Sequence, residues 1–294
     1  MKIEALQQTA TIIRKQILDM VYHAGSGHLG GSFSAVEILT DLYFSQMNID
    51  PQRPDWELRD RFVLSKGHAT PVYYAVLAER GYFPKAALAG FRQIDSYLQG
   101  HPDKKHTPGV DMSTGSLGQG LSVAVGMALA GKMRRQDYRV YALVGDGEIQ
   151  EGQIWEALQF AGNQQLDNLV VILDNNHIQS DGTLQEVNSP YPIDAKFRDF
   201  GAEVLSVDGH DFTQLEAAFA LARGMKGKPT VILAQTVKGK GVSFMENQAA
   251  WHGKVPNEAQ YQKALEELQA AGAKNEDHAA SERKNVLSDS NSNP

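Results

Sequence analysis

Apolar residues in the second half of the chain fall into short continuous runs separated by polar, glycine-rich punctuation. Arg139 to Val144 (RVYALV) and Asn168 to Asp174 (NLVVILD) are β-prone runs of this kind. Between them, EGQIWEALQFAGNQQ sets Ile154, Leu158 and Ala161 at helical spacing. Strand, helix and strand make a βαβ unit, whose crossover is right-handed as a rule. Glu203 to Val207 reads as a third strand, and Asp211 as the N-cap of a helix with Phe212, Leu215, Phe219 and Ala222 on one face. Pro229 to Val237 (PTVILAQTV) reads as a fourth, buried strand. The alternation predicts an α/β fold, an open, mostly parallel sheet with helices on both faces.

The opening MKIEALQQTATIIRKQIL is an amphipathic helix pattern rather than a signal peptide, and no apolar run approaches the ~18 residues that span a bilayer. The first half of the chain reads as more helical, with loops rich in Gly and His and no composition break to mark a second domain. One domain is expected over residues 1–272, followed by a polar tail over 273–294 that lacks apolar periodicity and is expected to be disordered.

Composition narrows the function. The chain has 294 residues, 42% of them hydrophobic, enough to bury a core. Its net charge of -7, from 28 basic and 35 acidic residues, leaves no basic field for nucleic acid or an anionic membrane. Any anionic ligand must be held by local geometry. Cys is absent, so metal binding falls to carboxylate, amide, carbonyl or imidazole, and a cytoplasmic, unprocessed, soluble protein is expected. The 27 glycines are bunched rather than spread, and the bunches carry the candidate chemistry.

Val144-Gly145-Asp146-Gly147-Glu148 follows one predicted strand, and Leu173-Asp174-Asn175-Asn176-His177-Ile178 ends the next. Neighbouring parallel strands open their C-terminal ends into one crevice, where Asp146 and Asn176 can meet. A carboxylate, an amide oxygen and a backbone carbonyl such as that of Ile178 form half an octahedral shell for Mg²⁺. Gly145 and Gly147 let backbone amides approach a phosphate, and the helix beginning near Glu151 points its positive end the same way. Either string alone reads equally as turn residues; together they suggest a metal-bound diphosphate. GDGEIQ lacks the third glycine of a dinucleotide motif.

Four of nine histidines sit beside glycine: His28, His68, His101 and His252. Each alone reads as a loop hydrogen-bonder, whereas four in one setting suggest imidazoles that exchange protons near neutrality. No histidine pair has the HExxH spacing of a zinc site. In Thr114-Gly115-Ser116-Leu117-Gly118-Gln119-Gly120, Ser116 is expected to cap a helix whose Ala124, Gly126, Ala128 and Ala130 permit close packing on both faces. Lys238-Gly239-Lys240-Gly241 reads as solvated surface.

Six strings in order, SGHLGGSFSAVEIL, LSKGHA, GHPDKKHTPGVDMSTGSLGQG, VGDGEIQEGQIWEA, LDNNHIQSDG and KGKGVSFMENQAAWHGK, resemble the thiamine diphosphate-dependent transketolases. The resemblance runs over roughly residues 5 to 265, the diphosphate-binding N-terminal domain, and within the family it points to the N-terminal subunit of split transketolases. Where single-chain members have proline in these loops, this chain has Leu29 and Ser116, as split enzymes and deoxyxylulose-phosphate synthases do. The resemblance implies that Asp146, Asn176 and the carbonyl of Ile178 bind Mg²⁺, or Ca²⁺ or Mn²⁺ in its place. It implies a cofactor-binding set of His68, Gly115, Ser116, Leu117, Gly145, Gly147, Glu148, Asn176 and His252. It further implies His28, His101 and His252 as the imidazoles around the donor sugar, and Glu151 as a buried carboxylate linking two active sites across a dimer.

The family's pyrimidine-binding domain, with its activating glutamate, lies downstream, and this chain ends in its polar tail first. The implied activity is transfer of a two-carbon ketol unit from a ketose phosphate to an aldose phosphate. It would need a separate C-terminal subunit carrying that domain, in an expected heterotetramer of two of each chain, with sugar phosphates as small-molecule partners and no nucleic acid or membrane. Two alternatives stay open. One is a related enzyme, deoxyxylulose-phosphate synthase-like or using an unusual ketose, and the other is a non-catalytic cofactor-binding protein.

Overall fold

The computed structural model describes residues 1–273. Five strands, β1 (Arg61–Leu64), β2 (Val140–Gly145), β3 (Leu169–Asn175), β4 (Glu203–Asp208) and β5 (Thr230–Gln235), form one sheet in the order β1-β2-β3-β5-β4. Every pairing is parallel. The helices are α1 (Ile3–Ala24), α2 (Leu29–Phe33), α3 (Val36–Asp41), α4 (Thr70–Arg80), α5 (Gln119–Met133), α6 (Gly152–Asn163), α7 (Leu184–Asn188), α8 (Ile193–Asp199), α9 (Phe212–Gly224) and α10 (258–273). No helix among the described residues is long and apolar enough to cross a membrane.

The four anticipated strands are present. Strands β2, β3 and β5 are continuous apolar runs because they are covered on both faces. Tyr141, Leu143 and Ile172 turn to a core built with Ile17, Leu39, Tyr74 and Phe219 from α1, α3, α4 and α9. Ala142, Val144 and Val171 turn to the other, with Leu121, Ile154 and Phe197 from α5, α6 and α8. Asp211 caps α9 as expected, its carboxylate accepting from the Thr213 and Gln214 amides at 2.8 and 3.3 Å.

Four expectations about the elements need correcting. The sheet has a fifth strand, β1, whose four residues pair only with β2. Ser116 does not cap α5: it is exposed, the N-cap is Gly118 at φ 83°, and no side chain caps that end. Nor is α5 packed on both faces, since Ala124 and Ala128 are fully buried while Gly126 has nothing within 4 Å of where a Cβ would stand. At the other end, Ala273, counted with the tail, is helical in α10, and residues 274–294 of that tail lie outside the described residues.

A buried polar set fixes the turn after β5. Arg14 of α1 pairs with Glu37 of α3, and its Nε donates to the Lys240 carbonyl at 3.1 Å. His210 Nε2 accepts from the Val237 amide at 2.9 Å, so its Nδ1 carries the proton that it donates to Glu37 at 2.8 Å. Burial alone would raise the Glu37 carboxyl, but Arg14 and His210 override it and hold it at about 2.

Candidate active site

A cavity of about 410 Å³ opens where β1, β2, β3 and β5 end. In open parallel sheets this is where ligands bind. Residues just past the strands line it: Lys66 and His68 after β1, Gly145 to Glu148 at β2, Asn176 and Ile178 to Ser180 after β3, and Lys238 after β5. Longer loops bring in His28, Gly31, His101, Gly115, Leu117 and His252. The histidine, glycine and carboxylate strings that lie far apart in sequence thus share one space.

One side of this space is rich in oxygen. Asp146 is 3% exposed and accepts from the Gly147 amide at 2.8 Å and from the His177 amide. Burial, with the charge of Asp174 beside it, pushes its carboxyl up to about 7. His177 takes a left-handed φ of 66°, so the chain reverses directly after Asn176. Behind them, the fully buried Asp174 accepts from Lys66, Ser34 and Thr236, and from the Asn176 amide nitrogen at 3.4 Å. Burial would raise Asp174, but the Lys66 ammonium in contact with it holds it below the usual carboxylate range.

The other side is basic. The rings of His28, His68 and His252 form a triangle with centroids 5.0, 5.2 and 5.2 Å apart. Burial and neighbouring positive groups lower His68 to about 2 and His28 and His252 to about 4. All three are therefore neutral at pH 7, and His28 Nδ1 is buried with no partner among the described residues. His101 is more exposed and is lowered by burial and by Arg92; it packs on Gly115, where a Cβ would lie 3.4 Å from its ring.

Lys238 overturns the expectation of solvated surface. It is 1% exposed, and its Nζ donates to the Ile178 and Gln179 carbonyls at 3.0 and 2.9 Å and lies 3.0 Å from His252 Nδ1. Burial lowers the ammonium to about 8. Its stem crosses Gly30 so closely that a Cβ there would meet Cγ at 3.0 Å.

Of the residues singled out from sequence, Ser116 and Glu151 do not line the cavity. Glu151 is exposed at the N-cap of α6, so its expected burial is not a property of this chain alone. The 3-10 turn Glu148–Gln150 separates the start of α6 from the cavity, so the positive end of that helix is not part of the lining. Glu148 lines the cavity but its carboxylate is already engaged, accepting from Ser65 Oγ and from the Gly118 and Gly145 amides. It ties three loops together.

Lys66, Gly31, Gln179 and Ser180 also line the cavity, and sequence reasoning does not single them out. A signal for Lys66 exists: Asp174 stands in the apolar run of β3, and a buried carboxylate requires a countercharge. Among the described residues no three His, Asp or Glu side chains converge as a metal site. The donor set that fits a cation is instead mixed, with the Asp146 carboxylate, the Asn176 amide and the Ile178 carbonyl on the lining of one cavity. A hard divalent ion takes such oxygens, and it would relieve the buried charge of Asp146. The neutral imidazoles in the same cavity suit an organic ligand with hydroxyl or ring-nitrogen groups.

The chain matches known proteins in sequence and in fold. Residues 5–277 match the family model described as "Transketolase, thiamine diphosphate binding domain". The chain is 47% identical over 268 residues to SqwG, a subunit of the 6-deoxy-6-sulfo-D-fructose transketolase of Clostridium sp. (strain MSTE9), covering 91% of this chain and 98% of that protein. It is 42% identical over 269 residues to one of the subunits of the apulose-4-phosphate transketolase of Phocaeicola vulgatus, covering 91% and 95%. The transketolase of Campylobacter jejuni superposes with a TM-score of 0.86 at 34% identity, over 94% of this chain and 46% of that one. The chain thus spans nearly the full length of those two subunits and under half of a single-chain transketolase. Sequence and fold together make the chain a member of the transketolase family, matching its thiamine diphosphate binding domain.

Proposed function

We propose that the chain is the diphosphate-binding subunit of a split transketolase, moving a two-carbon ketol unit from a ketose donor to an aldose phosphate. One observation carries the reading: a single cavity at the strand ends joins an oxygen donor set, Asp146, Asn176 and Ile178, to the triangle of His28, His68 and His252. Two relatives of nearly the same length are named as subunits of transketolases, which supports a separate chain for the pyrimidine-binding half.

In this reading Asp146, Asn176 and the Ile178 carbonyl hold Mg²⁺, and Gly115, Leu117 and Gly147 border the diphosphate. When bound, thiamine diphosphate supplies the nucleophilic carbon and the electron sink that carbon-carbon cleavage of a ketose requires. The protein's part is orientation and proton management. Lys238 fixes the Ile178 and Gln179 carbonyls and orients His252. His28, neutral and partly withdrawn from water, accepts hydrogen bonds from the donor's hydroxyls and takes up and returns protons at its oxygens, while His252, whose Nδ1 accepts from Lys238, carries its proton on Nε2 and donates a hydrogen bond to those oxygens. His101, on the more open side, does the same for the sugar end that enters last. The cytoplasm is the compartment this reading places it in.

The names of two relatives add a sulfonated deoxyfructose and apulose 4-phosphate to the candidate donors, while others, 46% identical, are named simply as transketolases. The test is to combine the chain with its partner subunit, Mg²⁺ and thiamine diphosphate, and to screen ketose phosphates, 6-deoxy-6-sulfofructose and pyruvate as donors. Ketol transfer from a ketose is expected. Turnover of pyruvate alone would move the assignment to a synthase, and tight cofactor binding without turnover of any donor would leave a cofactor-binding protein.

A further inference from the structure

Arg92 stays outside the cavity lining yet touches both loops that deliver His28 and His101. Its Nη1 donates to Ser26 Oγ at 2.6 Å, two residues before His28. On the other side it lies against Gly100, next to His101, where a Cβ would stand 2.8 Å from Nη2 and 2.9 Å from Cζ and would displace the guanidinium. Its backbone amide donates to the Leu98 carbonyl at 2.8 Å, and its φ of 59° is a left-handed conformation that a residue with a side chain keeps only where its surroundings hold it. The same stretch is held from behind, with Tyr74 donating to the Gln99 and His101 carbonyls at 2.9 and 3.2 Å and Thr70 to that of Gly100 at 3.0 Å. Arg92 Nε is buried with no hydrogen-bond partner among the described residues.

We propose that Arg92 is a positioning residue for the ketol transfer proposed above: it ties the His28 loop to the His101 loop and keeps a positive charge beside both imidazoles, so that each presents a neutral, accepting nitrogen to the donor sugar. The inference rests on that functional reading for its purpose, but its geometry does not. His28 faces Arg92, His101 and Lys238 as well as the rings of His68 and His252, and His101 faces Arg92 and His28. Burial is the larger cause of lowering for both imidazoles, and Arg92 is the strongest neighbouring charge for each. Removing that charge makes protonation of both rings easier. His252 is acted on by Lys238, His28, Lys66 and Asp181 and not directly by Arg92, so its midpoint responds only through His28.

The experiment uses Arg92→Gln, which removes charge and fork, and Arg92→Lys, which keeps the charge and loses the fork. Histidine titrations are followed by NMR in the full chain, and kcat/KM for the donor is followed against pH in the complex with the partner subunit. Arg92→Gln is expected to move the His28 and His101 midpoints upward, shift the acid limb of kcat/KM upward and lower its plateau on the order of 10- to 100-fold. Arg92→Lys is expected to lower kcat/KM with the midpoints nearly unmoved, and it carries the test if melting curves show that Arg92→Gln does not fold. Unchanged midpoints and pH profile in Arg92→Gln, or an unchanged kcat/KM in a folded Arg92→Lys, would overturn the proposal. If the wild-type complex transfers no ketol unit while the midpoints still move, the functional reading fails and the placement of charge by Arg92 stands.

Discussion

A lysine between a valine and a glycine reads as a solvated group, yet Lys238 is enclosed because two carbonyls across the sheet edge, of Ile178 and Gln179, take its protons. No pattern in the string KGKG announces that, since the partners come from the loop after a different strand. Lys66 is hidden for the same reason, its partner being Asp174 of β3. Asp146, Asn176 and the glycine-flanked histidines are legible because residue type and position at a strand end or loop together constrain what they can do. The residue-scale consequence concerns the metal. Asp146→Ala is expected to weaken Mg²⁺-dependent binding of thiamine diphosphate on the order of 100-fold, by analogy with losses at ligand shells elsewhere. Calorimetry of the complex with and without Mg²⁺ checks this. Equal affinity in the variant would remove Asp146 from the metal site.

Among the elements, those with long periodic or continuous apolar signals are legible in the sequence, including α6, α9 and the four anticipated strands. Strand β1 is not, because RFVL is four residues set among charged neighbours and becomes a strand only through its register with β2, Phe62 facing Tyr141 and Leu64 facing Leu143. Helix α5 shows the same limit, since its entry is set by contact rather than by a capping side chain. A Cβ at Gly120 would stand 2.7 Å from the Ser65 Cα, directly before the segment that carries Lys66 and His68. Gly120→Ala must therefore push α5 and the end of β1 apart. A loss of about 1–3 kcal/mol in urea unfolding is expected, together with weaker cofactor binding. A variant as stable as the parent would show that this contact does not position the segment.

At the scale of the whole molecule, the open parallel sheet and its covered faces are evident from the alternation of runs, and the crevice at the strand ends follows from that topology. Gly126 lies open on the outer side of α5, and Glu151, expected to be a buried linking carboxylate, is exposed. Relatives of nearly the same length are named as subunits. The proposed function divides the catalytic site between this chain and a second one. The measurement that tests it is the rate of ketol transfer, at saturating Mg²⁺ and thiamine diphosphate, as the partner subunit is titrated into a fixed amount of this chain. No turnover by either chain alone is expected, with a linear rise that breaks at equimolar chains. Full turnover by this chain without its partner, or none at any ratio, would contradict it.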